Sequence, residues 1–306
     1  MLNIVIIGGS GFIGRTLSKA LVSQGHYVTS ISRSPVRIKL KTVKYIDCNY
    51  DNTYLLGEVY KQADLIFHLA SDTTPATSSQ QCSLEGMANL IPFLRFIEFM
   101  ENKAKTKLVY LSSGGAIYGN QLNSNCDEKT PINPLSHYGA GKAAIENFLN
   151  AYHHQSGNEV VILRPSNIYG PGQFAKQQFG VIPTLLECII DERPFYVSGD
   201  GSQKRDYLFI DDFCNLCCSI AQKNTPQKIQ TFNCGSDIST SLKELIHYTE
   251  KETQLTLDVV YQKTRKSDVD RICLDSTKAK EVFGWQPSIS LSEGIQQTWK
   301  WRIEQQ

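Results

Sequence analysis

Apolar residues run unbroken at Ile4-Val5-Ile6-Ile7, give way to Gly8-Gly9-Ser10-Gly11-Phe12-Ile13-Gly14, and resume with helical spacing in Arg15-Thr16-Leu17-Ser18-Lys19-Ala20-Leu21. A short continuous apolar run bounded by turn residues reads as a strand buried on both faces. The alternation then repeats. Further strands are expected at His26 to Ser32, Val43 to Asp47, Asp64 to Ala70, Lys107 to Ser112 and Glu159 to Arg164. Between them, helical periods cover Asp51 to Gln62, with Leu55, Leu56 and Val59 on the inner face, then Cys82 to Asn102 and Pro134 to His154. Pro92 lies inside the second of these and predicts a kink or a late restart, because it has no N–H to give the helix. Alternation of this kind predicts an α/β fold, a doubly wound parallel sheet with right-handed crossovers.

Beyond Arg164 the pattern changes. Glycine, proline and asparagine cluster in residues 164–173 and again in 198–206, and helical periods follow at 180–192, 211–223, 240–251, 275–283 and 291–303. This predicts a smaller, loop-rich second domain over the carboxyl edge of the sheet, the edge at which open α/β sheets bind ligands. The expected boundaries are 1–165 for the sheet domain, with 206–235 returning to it, and 166–205 with 236–306 for the second.

The first glycine stretch carries chemistry because a strand precedes it and a helix follows it. Gly8 permits the tight turn, Gly11 lets the backbone approach a pyrophosphate, and Gly14 lets the helix pack close to the strand. The helix N-terminus then presents free N–H groups and partial positive charge to the phosphates. Gly8, Ser10, Gly11, Phe12, Ile13 and Gly14 are therefore candidate dinucleotide ligands, and the sheet is expected to be of the Rossmann type.

Charge and cysteine usage narrow the partners. The 306 residues carry 31 Lys+Arg against 30 Asp+Glu, a formal net charge of +1, which gives no electrostatic case for nucleic acid or an anionic membrane. No apolar run approaches the ~18 residues of a membrane span, and no signal peptide is evident. Nine cysteines at irregular spacing read as reduced thiols of a cytoplasmic protein. Cys214, Cys217 and Cys218 lack a second pair or a nearby histidine and read as buried apolar residues, with no metal site expected.

Tyr138-Gly139-Ala140-Gly141-Lys142 is the sharpest catalytic signal. Tyr and Lys at i and i+4 share a helical face, and an ammonium beside a phenol lowers the phenol pKa. That would make Tyr138 a proton donor or acceptor near neutral pH.

With these motifs the chain resembles the extended short-chain dehydrogenase/reductases of the nucleotide-sugar epimerase and reductase group, UDP-glucose 4-epimerase-like. The resemblance runs almost end to end. It rests on Gly8 to Gly14, His68-Leu69-Ala70, Ser112 to Gly119, Tyr138 to Lys142, Leu163 to Gly172, Gly199 to Asp206, Arg265 with Asp268-Val269, and Phe283 to Pro287. It implies Tyr138 as catalytic acid/base with Lys142 as its partner, and Leu69, Ala70, Ser71, Cys48 and Pro165 along the cofactor. Asp47 would hold the adenine amino group. His68 is read as a core histidine. Asn167 and Arg205 resemble nucleotide-sugar ligands, and Arg265 and Asp268 a second diphosphate and ribose clamp. Homodimerisation through the long helix and the Tyr-bearing helix is also implied, with Leu84, Met87, Ile91, Leu94 and Phe148 as contributors, as is a surface-polysaccharide pathway.

Three departures shape the expected reaction. The family usually has a carboxylate at the end of the second strand, about 20 residues past the glycines. Ser32-Arg33-Ser34-Pro35 stands there, with Arg37 and Lys39 close by and no carboxylate, and a guanidinium could hold a 2′-phosphate, so NADP(H) is favoured over NAD(H). Gly114 occupies the usual place of the catalytic Ser/Thr, which leaves Ser113 or Ser112 for that role, Ser113 being the candidate. Ser83 stands where the family often has asparagine. A dehydratase would need an Asp-Glu pair after the catalytic hydroxyl, where this chain has glycine and alanine. The expected function is NADP(H)-dependent reduction at C4 of a nucleoside-diphosphate 4-keto-(6-deoxy)hexose. The alternative is an NAD-dependent 4-epimerase of the UDP-glucose or UDP-N-acetylglucosamine type.

Overall fold

A computed structural model describes residues 1–36, 39–101, 106–122, 124–175, 180–223, 227–263 and 269–305. In chain order the strands are β1 (Asn3–Ile7), β2 (Tyr27–Ser32), β3 (Val43–Asp47), β4 (Leu65–His68), β5 (Lys107–Leu111), β6 (Val160–Pro165), β7 (Asn167–Tyr169), β8 (Phe195–Ser198), β9 (Lys204–Phe209), β10 (Ile229–Cys234), β11 (Ser239–Ser241) and β12 (Val259–Gln262). The helices are α1 (Phe12–Ser23), α2 (Thr53–Lys61), α3 (Pro75–Gln80), α4 (Cys82–Glu85), α5 (Ile91–Glu101), α6 (Gly114–Ile117), α7 (His137–Ser156), α8 (Val181–Ile190), α9 (Ile210–Gln222), α10 (Leu242–Thr253), α11 (Thr277–Phe283) and α12 (Leu291–Ile303). The chain forms two compact units. Unit 1 holds Met1–Ser113, Ser136–Arg164 and Cys214–Phe232; unit 2 holds Gly114–Leu135, Pro165–Phe213 and Asn233–Gln306.

Unit 1 is built on a seven-stranded sheet in the order β10-β6-β5-β4-β1-β2-β3. The pairings of β1 with β2 and β4, β2 with β3, β4 with β5, and β5 with β6 are all parallel. Strand order therefore reverses at β1, and that reversal opens a crevice at the carboxyl ends of β1 and β4. The apolar run that predicted β1 is buried from Ile4 to Ile7, as a strand covered by helices on both faces must be. Val5, Ile7, Ile31, Ile66, Leu108, Val160 and Ile162 meet Leu56, Tyr60, Phe93, Phe96 and Leu149 in one continuous core.

Two helices differ from expectation. On α2 the inward residues are Leu56 and Tyr60, while Leu55 is 60% exposed. The long helix around Pro92 changes type along its length: α4 passes through a π-helical turn, Gly86–Leu90, before α5 begins. Proline at the second position of α5 has no N–H to donate backward, and the widened turn accommodates that missing bond.

Unit 2 contains a three-stranded sheet, β11-β9-β7, a two-stranded sheet, β12-β8, and the packed helices α8, α10 and α12. Two buried carboxylates tie it together. Asp206 accepts bonds from the Ser236 amide and hydroxyl, each 2.8 Å, and from the Leu274 amide at 3.2 Å. Burial pushes its pKa up to about 6 in spite of those bonds. Asp212 accepts from the Ser288 hydroxyl and the Ile289 amide.

No disulfide joins any of the nine cysteines, and Cys214, Cys217 and Cys218 are buried on α9. Among the described residues no group of His, Cys, Asp and Glu could hold a metal ion, and no helix is long and apolar enough to cross a membrane.

Candidate functional site

The glycine turn is packed too closely to admit side chains. A Cβ on Gly14 would lie 2.4 Å from the Gly8 carbonyl oxygen and 2.6 Å from the Gly9 Cα. Gly8 has φ +88°, and a Cβ there would lie 2.9 Å from the Ala70 amide. The turn is pinned by amide bonds from Gly8 to the Ile31 carbonyl (2.8 Å) and from Gly11 to the Gly8 carbonyl (3.0 Å). Ser10 donates its amide to the Ser32 hydroxyl at 2.8 Å, so Ser32 braces the turn from β2. Gly11 caps α1 with no side-chain acceptor, and no acidic residue lies in the first turn. The N–H groups around Phe12, Ile13 and Gly14 thus end a 12-residue helix with nothing anionic on them, a fit for a pyrophosphate. Gly14→Ala is accordingly expected to cost about 1–3 kcal/mol of stability by overpacking. It should also abolish dinucleotide binding, as read by urea unfolding and by calorimetric titration with NAD+.

The other expected cofactor residues line the same edge. The Leu69 amide donates to the Ile7 carbonyl at 2.9 Å, which sets Ala70 against Gly8. Ser71 donates to the Thr73 carbonyl. Asp47 is exposed at the end of β3, opposite Ser32, and Cys48 follows it half-buried. Arg33 is engaged: its guanidinium donates to the carboxylate of Asp72. His68 is fully buried with neither ring nitrogen hydrogen-bonded, its ring edge-on to Tyr50 and Phe93. Burial and the Lys142 charge hold its pKa down at about 3, so it is a neutral core residue.

Helix α7 carries the proton-handling side chains. Ser136 caps it, accepting from the Gly139 amide, and Gly157 with φ +70° ends it. Its buried stripe reads Gly139, Lys142, Ile145, Glu146, Leu149 and Tyr152, a helical period that puts two charged residues inside. The Tyr138 amide donates to the Ser78 hydroxyl of α3, which fixes the first turn. Lys142 Nζ donates to the Leu111 carbonyl at 2.8 Å and lies 5.6 Å from the centre of the Tyr138 ring. Burial lowers the Lys142 pKa to about 8, against the opposing pull of Glu85 and Glu146.

Tyr138 departs from the expected lowering. Burial first, and the Glu85 carboxylate second, push its pKa up to about 12, while a hydrogen bond with the Ser113 hydroxyl opposes the rise. The phenol of unit 1 therefore holds its proton at neutral pH. Of the two candidate hydroxyls, Ser113 engages Tyr138, whereas Ser112 is buried and donates to Glu146 at 2.6 Å.

Sequence reasoning missed three carboxylates here. Glu85 is 5% exposed and held by Thr73 and Asn89, the Asn89 amide lying 2.9 Å away. Its carboxylate fills the place of a Cβ on Gly141, with Oε1 2.6 Å from that point. Glu146 pairs with Arg164 through Nε at 3.0 Å and Nη2 at 2.5 Å. Asp72 holds Arg33. A charged residue falling on the apolar period of α7 was the one available signal, for Glu146. A small cavity is lined jointly by Ala70, Glu85, Asn89 and Lys142, so the edge of the glycine turn and the proton-handling residues share a wall.

In unit 2, Asn167 begins β7 and donates to the Asp206 carbonyl at 2.8 Å. Arg205 lies on the neighbouring β9, with Nη1 donating to the Lys204 carbonyl. Pro165 closes β6 and is buried. Arg265 and Asp268 lie outside the described residues.

Comparison with known proteins places these features. Residues 4–235 match the family model described as the NAD dependent epimerase/dehydratase family. The chain is 32% identical over 305 residues to a UDP-glucose 4-epimerase of Mycolicibacterium smegmatis, covering 96% of each chain. It is 27% identical to a dTDP-4-dehydro-6-deoxyglucose reductase of Escherichia coli, covering 95% of each. Among solved structures, UDP-glucose 4-epimerase of Thermus thermophilus in complex with NAD superposes with a TM-score of 0.89 at 25% identity, over 98% of each chain.

Proposed function

Since the chain belongs to the NAD dependent epimerase/dehydratase family, we propose that it is an NAD(H)-dependent 4-epimerase acting on a nucleoside-diphosphate hexose of the UDP-glucose type. The observation that carries the choice over the 4-keto reductase is the Arg33–Asp72 pair. The case for the reductase rests chiefly on the Arg33 guanidinium for the 2′-phosphate of NADPH, and Asp72 already takes it, while Arg37 lies outside the described residues. The relatives support this choice, with an epimerase at 32% and a reductase at 27% identity.

Gly8 to Gly14 and the N-terminus of α1 would hold the pyrophosphate, with Ala70 and Ser71 alongside. When bound, NAD+ supplies a reversible hydride acceptor for C4. Ser113 would hydrogen-bond the C4 oxygen, and Tyr138 would take the proton of the C4 hydroxyl and later return it to the C4 oxygen, once hydride has come back to C4 on the opposite face of the 4-keto sugar. The returning step suits a phenol whose pKa is about 12, a donor that holds its proton until an alkoxide develops. Taking the proton needs positive charge nearby, and Lys142 keeps an ammonium beside the ring. Asn167, Arg205, Arg265 and Asp268 are the proposed nucleotide-sugar ligands. A homodimer belongs to the same proposal: Met87, Ile91 and Phe148 are exposed apolar residues on packed helices of unit 1, with Leu84 and Leu94 half-buried beside them.

The test is incubation with UDP-glucose or UDP-N-acetylglucosamine without added reductant. The expected product is the 4-epimer, seen as a new anomeric proton signal. Unchanged sugar, together with NADPH consumption on a 4-keto-6-deoxy nucleotide-sugar, would reverse the assignment in favour of the reductase.

A further inference from the structure

Arg33 follows β2 and Asp72 follows β4, and these strands flank β1 on either side. Their ion pair therefore reaches across the end of β1, where the glycine turn begins. Both ends are anchored. Ser32, next to Arg33, accepts the Ser10 amide of the turn. The Asp72 amide donates to the Asn89 side-chain oxygen at 2.8 Å, and Asn89 is itself held by Thr73 and Glu85. Neither side chain is buried, at 60% and 30% exposure, so a ligand arriving at the turn meets both.

Charges of both signs lie around the pair. Asp47 lies opposite Ser32 in the β2–β3 register. Asp51 and Asp72 both act on the Tyr50 phenol, with Arg33 opposing them, so all three charges gather around one ring. Arg95 lies 3.5 Å from Asp51, and Lys39 sits over the Tyr45 ring. A dianionic phosphate placed here would have to displace Asp72 from Arg33. A ribose hydroxyl faces no such conflict, because it can donate to a carboxylate.

We propose that Asp72 is a specificity-determining residue of the dinucleotide site. By holding the Arg33 guanidinium across the mouth of the glycine turn, it denies that cation to a 2′-phosphate and selects NAD(H) over NADP(H). The inference rests on the reading of this turn as a dinucleotide site and adds the residue that sets the choice. It places the discriminating carboxylate after β4, on the far side of β1 from the strand end where the fingerprint usually carries it.

The test is calorimetric titration of the intact protein with NAD+ and with NADP+, which needs no turnover. Wild type is expected to bind NAD+ more tightly. Asp72→Asn, which keeps shape and removes charge, is expected to tighten NADP+ by about tenfold, the worth of one freed charge-assisted bond, with NAD+ nearly unchanged. Arg33→Gln alone should leave the preference as it is, and Arg33→Gln combined with Asp72→Asn should cancel the gain. A wild-type preference for NADP+, a loss of NADP+ affinity in Arg33→Gln, or an unchanged ratio in Asp72→Asn would each overturn the proposal. Failure of wild type to bind either dinucleotide would instead remove the reading of the turn itself.

Discussion

Tyr138→Phe is expected to lower turnover by about 10²–10⁴-fold, the usual contribution of a positioned general acid/base. The fold should survive, because the hydroxyl is the one group removed. The Tyr138 amide keeps its bond to Ser78, and the ring stays beside the Lys142 ammonium. Initial rates of 4-epimer formation measure the loss. Thermal unfolding and NAD+ titration, both expected within error of wild type, separate it from structural damage. 4-Epimer formation within a few-fold of wild type would show that another group handles the proton, whereas a biological activity left untouched by Tyr138→Phe would point to a non-catalytic nucleotide-sugar or cofactor sensor.

Glu146→Ala carries the largest expected effect on stability, about 3–5 kcal/mol, because it takes the carboxylate counter-charge from the Arg164 guanidinium inside unit 1. The side chains of Arg164 and Glu146 are 6% and 7% exposed, so water cannot replace the lost partner. The Ser112 hydroxyl loses its acceptor in the same step. Urea unfolding of the cofactor-free protein reads the change as a fall in midpoint. Replacing both members together, Glu146→Leu with Arg164→Met, should recover most of the loss, since the penalty lies in a buried charge that has lost its counter-charge. A midpoint unchanged in Glu146→Ala would show that the pair is hydrated in solution.

The parts of the fold that were legible in the sequence are those encoded locally. Ile4 to Ile7 could only be a doubly covered strand, and Gly14 had to lack a side chain for α1 to start where it does. Tyr138 and Lys142 were legible because four residues on a helix bring them to one face. The remainder depends on contacts between distant segments. Asp72 meets Arg33 across 39 positions, Glu85 meets Thr73 across 12, and Glu146 meets Arg164 across 18. Nothing in the local pattern announces such pairs. For the same reason a local argument gives the wrong direction for the Tyr138 pKa: it counts Lys142, four residues on, and cannot count the burial of the phenol by the fold, nor Glu85, supplied by another helix. Apolar character alone points Leu55 inward, and the choice between two adjacent leucines is made by packing against α5.

The π-helical turn at Gly86–Leu90 also governs how the chain tolerates insertions and deletions. In a regular α-helix each residue turns the face by about 100°, so losing one residue elsewhere in α4 or α5 would rotate everything after it by that amount. The π-helical turn holds one residue more than an α-turn, so losing one residue there would restore α geometry and leave Phe93, Phe96, Ile97 and Met100 facing the core. The helix is thus divided into two registers, one serving the proton-handling residues and one serving the core, joined at the place where a single residue can be lost without turning either. Comparing this segment with a relative that lacks the turn requires a one-residue gap between positions 86 and 90. Without that gap, every later position would be compared with one from the wrong side of the helix.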